Sequence, residues 1–109
     1  MATNFKNKVL ADVGTTPQAL VTAGLTAKIT VIGLSITNIT DGVVLASLQL
    51  TDDLGTSGYF IRNVPIPPNQ SLRVVNGGEK LIVAPSNILT AVADQEDSLD
   101  IIASFVEIT

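Results

Sequence analysis

Short stretches rich in Val, Ile and Thr, each closed by Gly, Pro, Asn or Asp, constrain the fold of this chain more than any other feature. Val, Ile and Thr make up 35 of its 109 residues, and their branched Cβ atoms favour extended backbone. Regularly spaced short apolar stretches separated by turn residues are typical of β-sandwiches and barrels. The sequence therefore predicts an all-β fold, an antiparallel β-sandwich of about eight strands, with jelly-roll and immunoglobulin-like topologies both open.

The same pattern places nine candidate strands, and the weakest signal is at residues 18–22. The candidates are residues 9–13, 18–22, 28–38, 43–51, 59–64, 71–75, 79–83, 88–93 and 99–108. Residues 88–93 also fit a short helix, because Ser86 can cap one. Within residues 28–38, Ile32, Leu34 and Ile36 are predicted to share one face, and Gly33 fits a bulge or a close backbone approach.

Turn residues predict where the chain reverses. Asp41-Gly42 and Asn76-Gly77-Gly78 are hairpin signals, and the polar residues 94–98 predict the turn of a last hairpin. The prolines at 65, 67 and 68 should end the sheet, since each removes a backbone donor.

Composition argues against most chemistry. The chain has no Cys and no His, so thiol and imidazole nucleophiles, bases and metal ligands are absent. Asp94, Glu96, Asp97 and Asp100 form the densest acidic cluster, yet their spacing lacks the glycine and bidentate Glu of a calcium loop. We therefore expect a solvated turn there, no cofactor, no metal and no enzymatic activity.

Charge and hydropathy limit the partners. The net charge is −4 and no basic stripe is present, so we expect no nucleic-acid binding. No apolar run approaches the roughly 18 residues of a membrane helix, and no secretory signal is visible. The sequence therefore predicts neither a membrane nor a nucleic-acid partner.

The terminal strand carries apolar residues on both faces. Leu99, Ile101, Ala103 and Phe105 alternate with Ile102, Val106 and Ile108, so this strand is either central in the sandwich or covered by another chain. Tyr59 and Phe60 put one aromatic ring on each side of a second strand, and one of them is a candidate interface anchor.

We expect two parts in the chain: an N-terminal arm at residues 1–8 and a β-sandwich domain at residues 9–109. The arm is polar apart from Phe5, which we expect to anchor in a neighbouring subunit while Lys6 and Lys8 meet carboxylates there. Deleting the arm should then leave the sandwich stable. The candidate partner interface comprises Phe5, Lys6, Lys8, Tyr59, Phe60, Ile102, Val106 and Ile108.

Five segments in a fixed order carry a resemblance. They are Gly14-Thr15-Thr16-Pro17, Val31-Ile32-Gly33-Leu34-Ser35-Ile36-Thr37-Asn38, Pro65-Ile66-Pro67-Pro68, Asn76-Gly77-Gly78-Glu79-Lys80-Leu81 and Phe105-Val106-Glu107-Ile108-Thr109. With this order the chain resembles small all-β virion proteins of tailed bacteriophages, common in phages of cyanobacteria. Relatives often carry a Glu-x-Gly-Asp turn where this chain has Ala84-Pro85-Ser86-Asn87.

The resemblance implies a virion structural protein, most specifically a capsid decoration (cement) protein that stabilises the head by bridging capsid subunits. It implies a homotrimer, made in the host cytoplasm and bound to the major capsid protein on the capsid exterior. A neck, tail or fibre-attachment protein is the first alternative, with another virion protein as its partner. A carbohydrate-binding adhesin module is the second.

Overall fold

A computed structural model describes residues 2–75 and 80–109, which form nine strands in two antiparallel sheets. The strands are β1 (Thr3–Val13), β2 (Gln18–Thr22), β3 (Lys28–Asn38), β4 (Val44–Thr51), β5 (Ser57–Ile66), β6 (Ser71–Val75), β7 (Leu81–Val83), β8 (Ile88–Ala93) and β9 (Leu99–Ile108). The weakest candidate, at residues 18–22, is a strand, and residues 88–93 form a strand rather than a helix.

The two sheets have a regular strand order. The first sheet runs β1-β9-β3-β6, with β7 pairing beside β6 on the same edge of β3, and the second runs β2-β8-β4-β5. Strands of the first half of the chain thus pair with strands of the second half: β1 with β9, β2 with β8, β3 with β6 and β7, β4 with β5. A long hairpin rolled up in this way is a jelly roll. The predicted antiparallel β-sandwich is confirmed, in its jelly-roll form.

The core lies between the sheets and consists almost entirely of aliphatic side chains. On β4, Val44, Ala46 and Leu48 are buried as the alternation predicts, and Leu50 packs against the same cluster. On β9 the residues at 99, 101, 103 and 105 face the core. Strand β9 lies between β1 and β3 in the first sheet. The terminal strand is therefore central in its sheet.

The prediction for the faces of β3 was wrong in one respect. The pairing of β3 with β9 shifts between Val31 and Gly33, so Ile32 is an extra residue at a bulge. Val31 and Leu34 both face the core, whereas Ile32 is 39% exposed. Gly33 fits the bulge that the sequence suggested, and the bulge moves Ile32 away from Leu34 and Ile36.

The predicted hairpins at Asp41-Gly42 and at residues 94–98 are also wrong. Strand β3 belongs to the first sheet and β4 to the second, and β8 and β9 are likewise in different sheets. Both segments are connections between sheets, which local turn signals cannot distinguish from hairpins. The hairpin signal Asn76-Gly77-Gly78 lies outside the described residues, and β6 and β7 each pair with β3.

The bounds of β1, β4, β5 and β7 differ from the prediction, and the differences at β5 and β1 are the largest. Strand β5 continues through Pro65 to Ile66, because β5 is an edge strand and the missing donor of a proline is tolerated there. Strand β1 begins at Thr3 instead of residue 9, and each residue from Thr3 to Leu10 pairs with β9. Residues 3–8 therefore complete the first sheet of their own chain, and this pairing argues against the expectation that the sandwich stays equally stable without them. Their role in attachment stays a prediction.

Candidate interaction surface

The outer face of the first sheet carries rows of apolar side chains. Directly paired residues point to the same side of a sheet. Phe5 is paired with Val106, Val106 with Thr30, and Thr30 with Ile82, so one row crosses four strands. A second row joins Val9 to Ile102.

Ile32, displaced outward by the bulge, lies between these rows. It lines a shallow depression together with Phe5, Asn7 and Ser104. We call the set Phe5, Val9, Ile32, Ile82, Ile102 and Val106 the apolar face.

Most of the apolar face is open to solvent. Phe5 is 78% exposed, Val9 58%, Ile82 56% and Ile102 48%, while Val106 is partly covered. A cluster of large apolar side chains on one sheet face marks an interaction surface far more specifically than the same residues scattered singly. The polar residues among them include the neutral Thr30, Asn7 and Ser104, and the row through Val9 and Ile102 continues across Ser35 to the charged Arg73.

The structure brings together half of the predicted interface residues. Phe5, Ile102 and Val106 lie on the apolar face, and Ile108, paired with Thr3, points to the same side of the sheet. Sequence reasoning missed Val9, Ile32 and Ile82. The strand alternation of β1 signals Val9 once the strand is known to begin before it, whereas Ile32 depends on the bulge.

Lys6 and Lys8 alternate with Phe5 and Val9, so they lie on the opposite side of β1. The Lys6 Nζ atom is 2.6 Å from the Glu107 carboxylate of the same chain. The prediction paired Lys6 with a carboxylate of a neighbouring subunit. In the structure Lys6 pairs with Glu107, which lies on β9 of its own chain. Among residues 2–75 and 80–109, Lys8 forms no ion pair.

Tyr59 and Phe60 are not part of the apolar face: they lie on β5 at the edge of the second sheet, where they line a depression together with Leu81 of β7. The Arg62 guanidinium lies 5.1 Å from the centroid of the Tyr59 ring, a cation–π distance. Tyr59 is still about half exposed to solvent with this contact in place.

Two carboxylates of the acidic cluster at residues 94–100, those of Asp94 and Glu96, accept hydrogen bonds from other segments of the chain. Glu96 accepts hydrogen bonds from the backbone N–H and the hydroxyl of Thr15. Asp94 Oδ1 accepts from the Leu45 N–H at 2.9 Å. These carboxylates therefore hold the connections between the sheets.

The hydrogen bonds from Thr15 hold the pKa of Glu96 below its ordinary value of 4.5, and the slight desolvation that raises it is the smaller effect. Gly14 lies close beside this carboxylate: an added Cβ would come within 2.8 Å of a Glu96 oxygen and 3.2 Å of the Glu96 Cα, so a larger residue there would displace the Glu96 side chain.

No group of three or more acidic side chains within the described ranges is arranged to hold a metal ion. Asp52, one of the acids at the Asp52-Asp53 turn, accepts hydrogen bonds from the backbone of Leu54 and Thr56, each at 2.9 Å. That is the geometry of an Asx turn. Among the residues that the structure describes, no helix is long and apolar enough to cross a membrane.

Solved structures with a similar fold include three that superpose over nearly the whole of this chain. A protein of Bacillus endospore appendages, described as a family of disulfide-linked pili, superposes with a TM-score of 0.59 at 8% identity, over 99% of this chain and 87% of that one. A protein of the T13 particle of infectious bursal disease virus superposes with a TM-score of 0.55 at 9% identity, over 96% of this chain and 30% of that one. The D431N mutant of the VP2 protein of that virus gives 0.53 at 13%, over 96% and 31%.

This chain therefore spans about a third of the length of the viral proteins. At such identities the likeness shows the fold alone. No protein-family model matches the chain, and no curated protein sequence matches it.

Proposed function

We propose that this chain is a structural protein of a virus particle, and most specifically a decoration protein on the outside of a tailed-phage head that bridges capsid subunits. The observation that carries the proposal is the apolar face. A jelly roll of this size fills its core with the inner faces of its two sheets, so apolar residues on an outer face serve contact with something else.

The physical role in this proposal is mechanical. The molecule measures 45 × 28 × 22 Å, so one broad face can supply the roughly 800 Å² per partner of a typical specific interface. Full burial of the Phe5 side chain contributes about 1.5–3 kcal/mol, and part of that gain is offset by the cost of association. Many copies along the joints of a shell multiply a modest gain per copy.

Two further observations support the proposal. The segments of the sequence resemble those of tailed-phage virion proteins, and the jelly roll is the fold found in the bursal disease virus proteins above. The chain also lacks the imidazole and thiol groups of most catalytic and metal sites, which fits a binding part better than an enzyme.

Self-association belongs to the same proposal. A homotrimer gives each copy two neighbours of the same kind and leaves other surfaces for the major capsid protein. Sedimentation at micromolar concentration should give about three times 11.4 kDa. An 11.4 kDa species alone would restrict the trimer to the assembled particle, where crosslinking has to recover it if the proposal is right.

The spore-appendage protein offers a different structural role, that of a pilus subunit, since the likeness covers nearly the whole of both chains. Those pili are described as disulfide-linked. The present chain has no cysteine, so it cannot form such links. We therefore favour the virion proposal.

Quantitative mass spectrometry of purified particles tests the position in the virion. Hundreds of copies relative to the major capsid protein support a head decoration protein, whereas six or twelve copies support the neck or tail. Absence of the chain from purified particles would refute a virion role altogether.

A pair of variants tests the apolar face itself. Ile102→Asp places a charge in its centre, and Val43→Asp is the matched control, because Val43 is also about half exposed but lies in the connection before β4. We expect Ile102→Asp to weaken attachment to depleted capsids at least about tenfold, since a charge in a buried contact must be desolvated. Equal attachment of the two variants would show that this face is not the contact.

A further inference from the structure

The outer edge of β1 is a long, regular and unpaired strand edge. Strand β1 is the end strand of the first sheet, and its pairing with β9 is unbroken from Thr3 to Leu10. Within the described part of the chain, no strand pairs with its other side. Alternate backbone N–H and C=O groups of such an edge point away from the sheet and are free to pair with another strand.

The other sheet edges of the molecule are interrupted or short. Strand β5 carries Pro65, two register shifts against β4 and a left-handed Asn63 with φ of 49°. Strand β2 has five residues and one register shift, and β6 and β7 have five and three residues. Bulges, prolines, short length and charged side chains, lysines above all, are the usual protections against edge pairing. From Thr3 to Leu10, strand β1 has no bulge and no proline and is long, so Lys6 and Lys8 are its protection. These lysines oppose a basic strand but not an acidic one.

Two different rows of side chains line this edge. Phe5 and Val9 lie on the side of the apolar face, and Lys6 and Lys8 lie on the other side. A strand added to β1 would place its own side chains directly beside these residues, where opposite charges and apolar pairs stabilise and like charges destabilise.

A second copy of the chain is a poor occupant of this edge. Antiparallel pairing of two β1 strands about a two-fold axis brings Lys6 and Lys8 of both copies onto one side of the joint sheet. Four ammonium groups then lie within a few residues of one another, with only the two Glu107 carboxylates nearby. The charge pattern therefore favours a different sequence.

We propose that the outer edge of β1 binds an extended segment of a partner protein in which acidic and apolar residues alternate. The acidic side chains lie beside Lys6 and Lys8, and the apolar ones extend the apolar face beyond Phe5 and Val9. That the partner is a capsid protein rests on the function proposed above. The pairing mode itself is a property of this chain and can be tested without a particle.

The first test is a chemical-shift titration of the full-length ¹⁵N-labelled protein with a synthetic peptide, Thr-Glu-Val-Glu-Val-Asp-Val-Thr. The control peptide carries Lys in place of each acidic residue. We expect the acidic peptide to shift the amides of β1 from Thr3 to Leu10, and the basic peptide to leave them unchanged. Equal shifts from both peptides, shifts confined to other strands, or no shift at millimolar peptide would overturn the proposal.

Charge variants make the test residue-specific. The double variant Lys6→Gln/Lys8→Gln should weaken peptide binding about three- to tenfold, the effect of two cross-strand charge pairs. Lys28→Gln/Lys80→Gln removes the same net charge and should bind as the parent does, because neither residue is on β1. Equal weakening by both pairs would reduce the effect to net charge and refute strand pairing beside Lys6 and Lys8.

Hydrogen exchange on the particle separates this inference from the proposed function. If the chain attaches through β1, amides of residues 3–10 should become at least about tenfold more protected on capsids than in the free protein. Attachment without that protection would leave the proposed function standing and refute the pairing mode. A chain that never attaches refutes the virion role, while the peptide titration still decides the chemistry of the edge.

Discussion

The buried side chain of Asn38 should be among the most sensitive positions in the molecule. Its Nδ2 atom donates to the backbone carbonyls of Gly42 and Ile66, both at 2.8 Å. Its Oδ1 atom accepts from the backbone N–H and the hydroxyl of Thr40, also at 2.8 Å. Asn38 ends β3 in the first sheet and Ile66 ends β5 in the second, so one fully buried amide joins the sheets where the chain crosses between them.

The substitution Asn38→Asp keeps the size of this side chain and removes both donors. Two hydrogen bonds are lost, each worth about 0.5–1.5 kcal/mol net, and the buried Ile66 carbonyl loses its side-chain donor at a further cost of about 1–3 kcal/mol. We therefore expect the free energy of unfolding to fall by about 3–5 kcal/mol at neutral pH. Burial and facing carbonyls raise the pKa of the introduced carboxyl, so the loss should shrink as the pH falls and the carboxyl gains a proton it can donate.

Urea unfolding at neutral and acidic pH measures both effects. Asn69→Asp is the matched control, because Asn69 is exposed and lies in the loop before β6, and its stability should stay within about 0.5 kcal/mol of the parent. An Asn38→Asp protein as stable as this control would show that the amide does not hold the sheets together. A loss that does not change with pH would refute the donor argument.

Three further outcomes follow from other parts of the structure. Deleting residues 1–8 should lower the melting temperature by roughly ten degrees or more, because β9 loses most of its outer partner strand; an unchanged melting curve would show that these residues contribute nothing to the sheet. Glu96→Gln should destabilise the protein at neutral pH and match the parent in acid, since a lowered carboxylate pKa stabilises above 4.5 and is lost as the pH falls through the folded value; equal melting temperatures at pH 7 would contradict this. Excess EDTA should shift the melting temperature by no more than about two degrees, because no ligand-linked stabilisation is expected; a larger drop reversed by calcium would reveal a metal site.

Local patterns in the sequence were sufficient to locate the strands. The candidates at residues 18–22, 28–38, 71–75, 88–93 and 99–108 have the bounds seen in the structure. On β4, where apolar and polar residues alternate, Val44, Ala46 and Leu48 lie on the core side. These properties depend on residues next to one another in the chain, and a period of two is strong enough to read them.

Strand pairing, by contrast, depends on residues far apart in the chain. Asp41-Gly42 has the composition of a hairpin turn, yet β3 and β4 are in different sheets. The Asn38 amide, which accepts from Thr40 and donates to Gly42 and Ile66, fixes this connection. The Asn38 side chain makes four hydrogen bonds. The composition of a turn does not predict hydrogen bonds of this kind.

The candidate surface was predicted only where alternation, or a lone apolar residue in a polar segment, indicates it. Phe5, Ile102 and Val106 were identified because an apolar residue faces outward or lies in a polar segment. Ile82 belongs to a strand of three residues, too short for alternation to be read, and Ile32 is turned outward by the bulge beside Gly33. The place of Ile32 on this surface therefore depends on one backbone irregularity that composition cannot show.

The outer faces of the two sheets differ in a way that the fold does not require. On the second sheet, the row that crosses β5, β4, β8 and β2 consists of Tyr59, Gln49, Thr90 and Ala19. On the first sheet, the corresponding row has Phe5, Val106 and Ile82 around a single Thr30. Both rows lie outside the core, so polar residues would serve either of them equally well for folding. The asymmetry therefore supports the proposal that the first sheet, beside strand β1, contacts a partner.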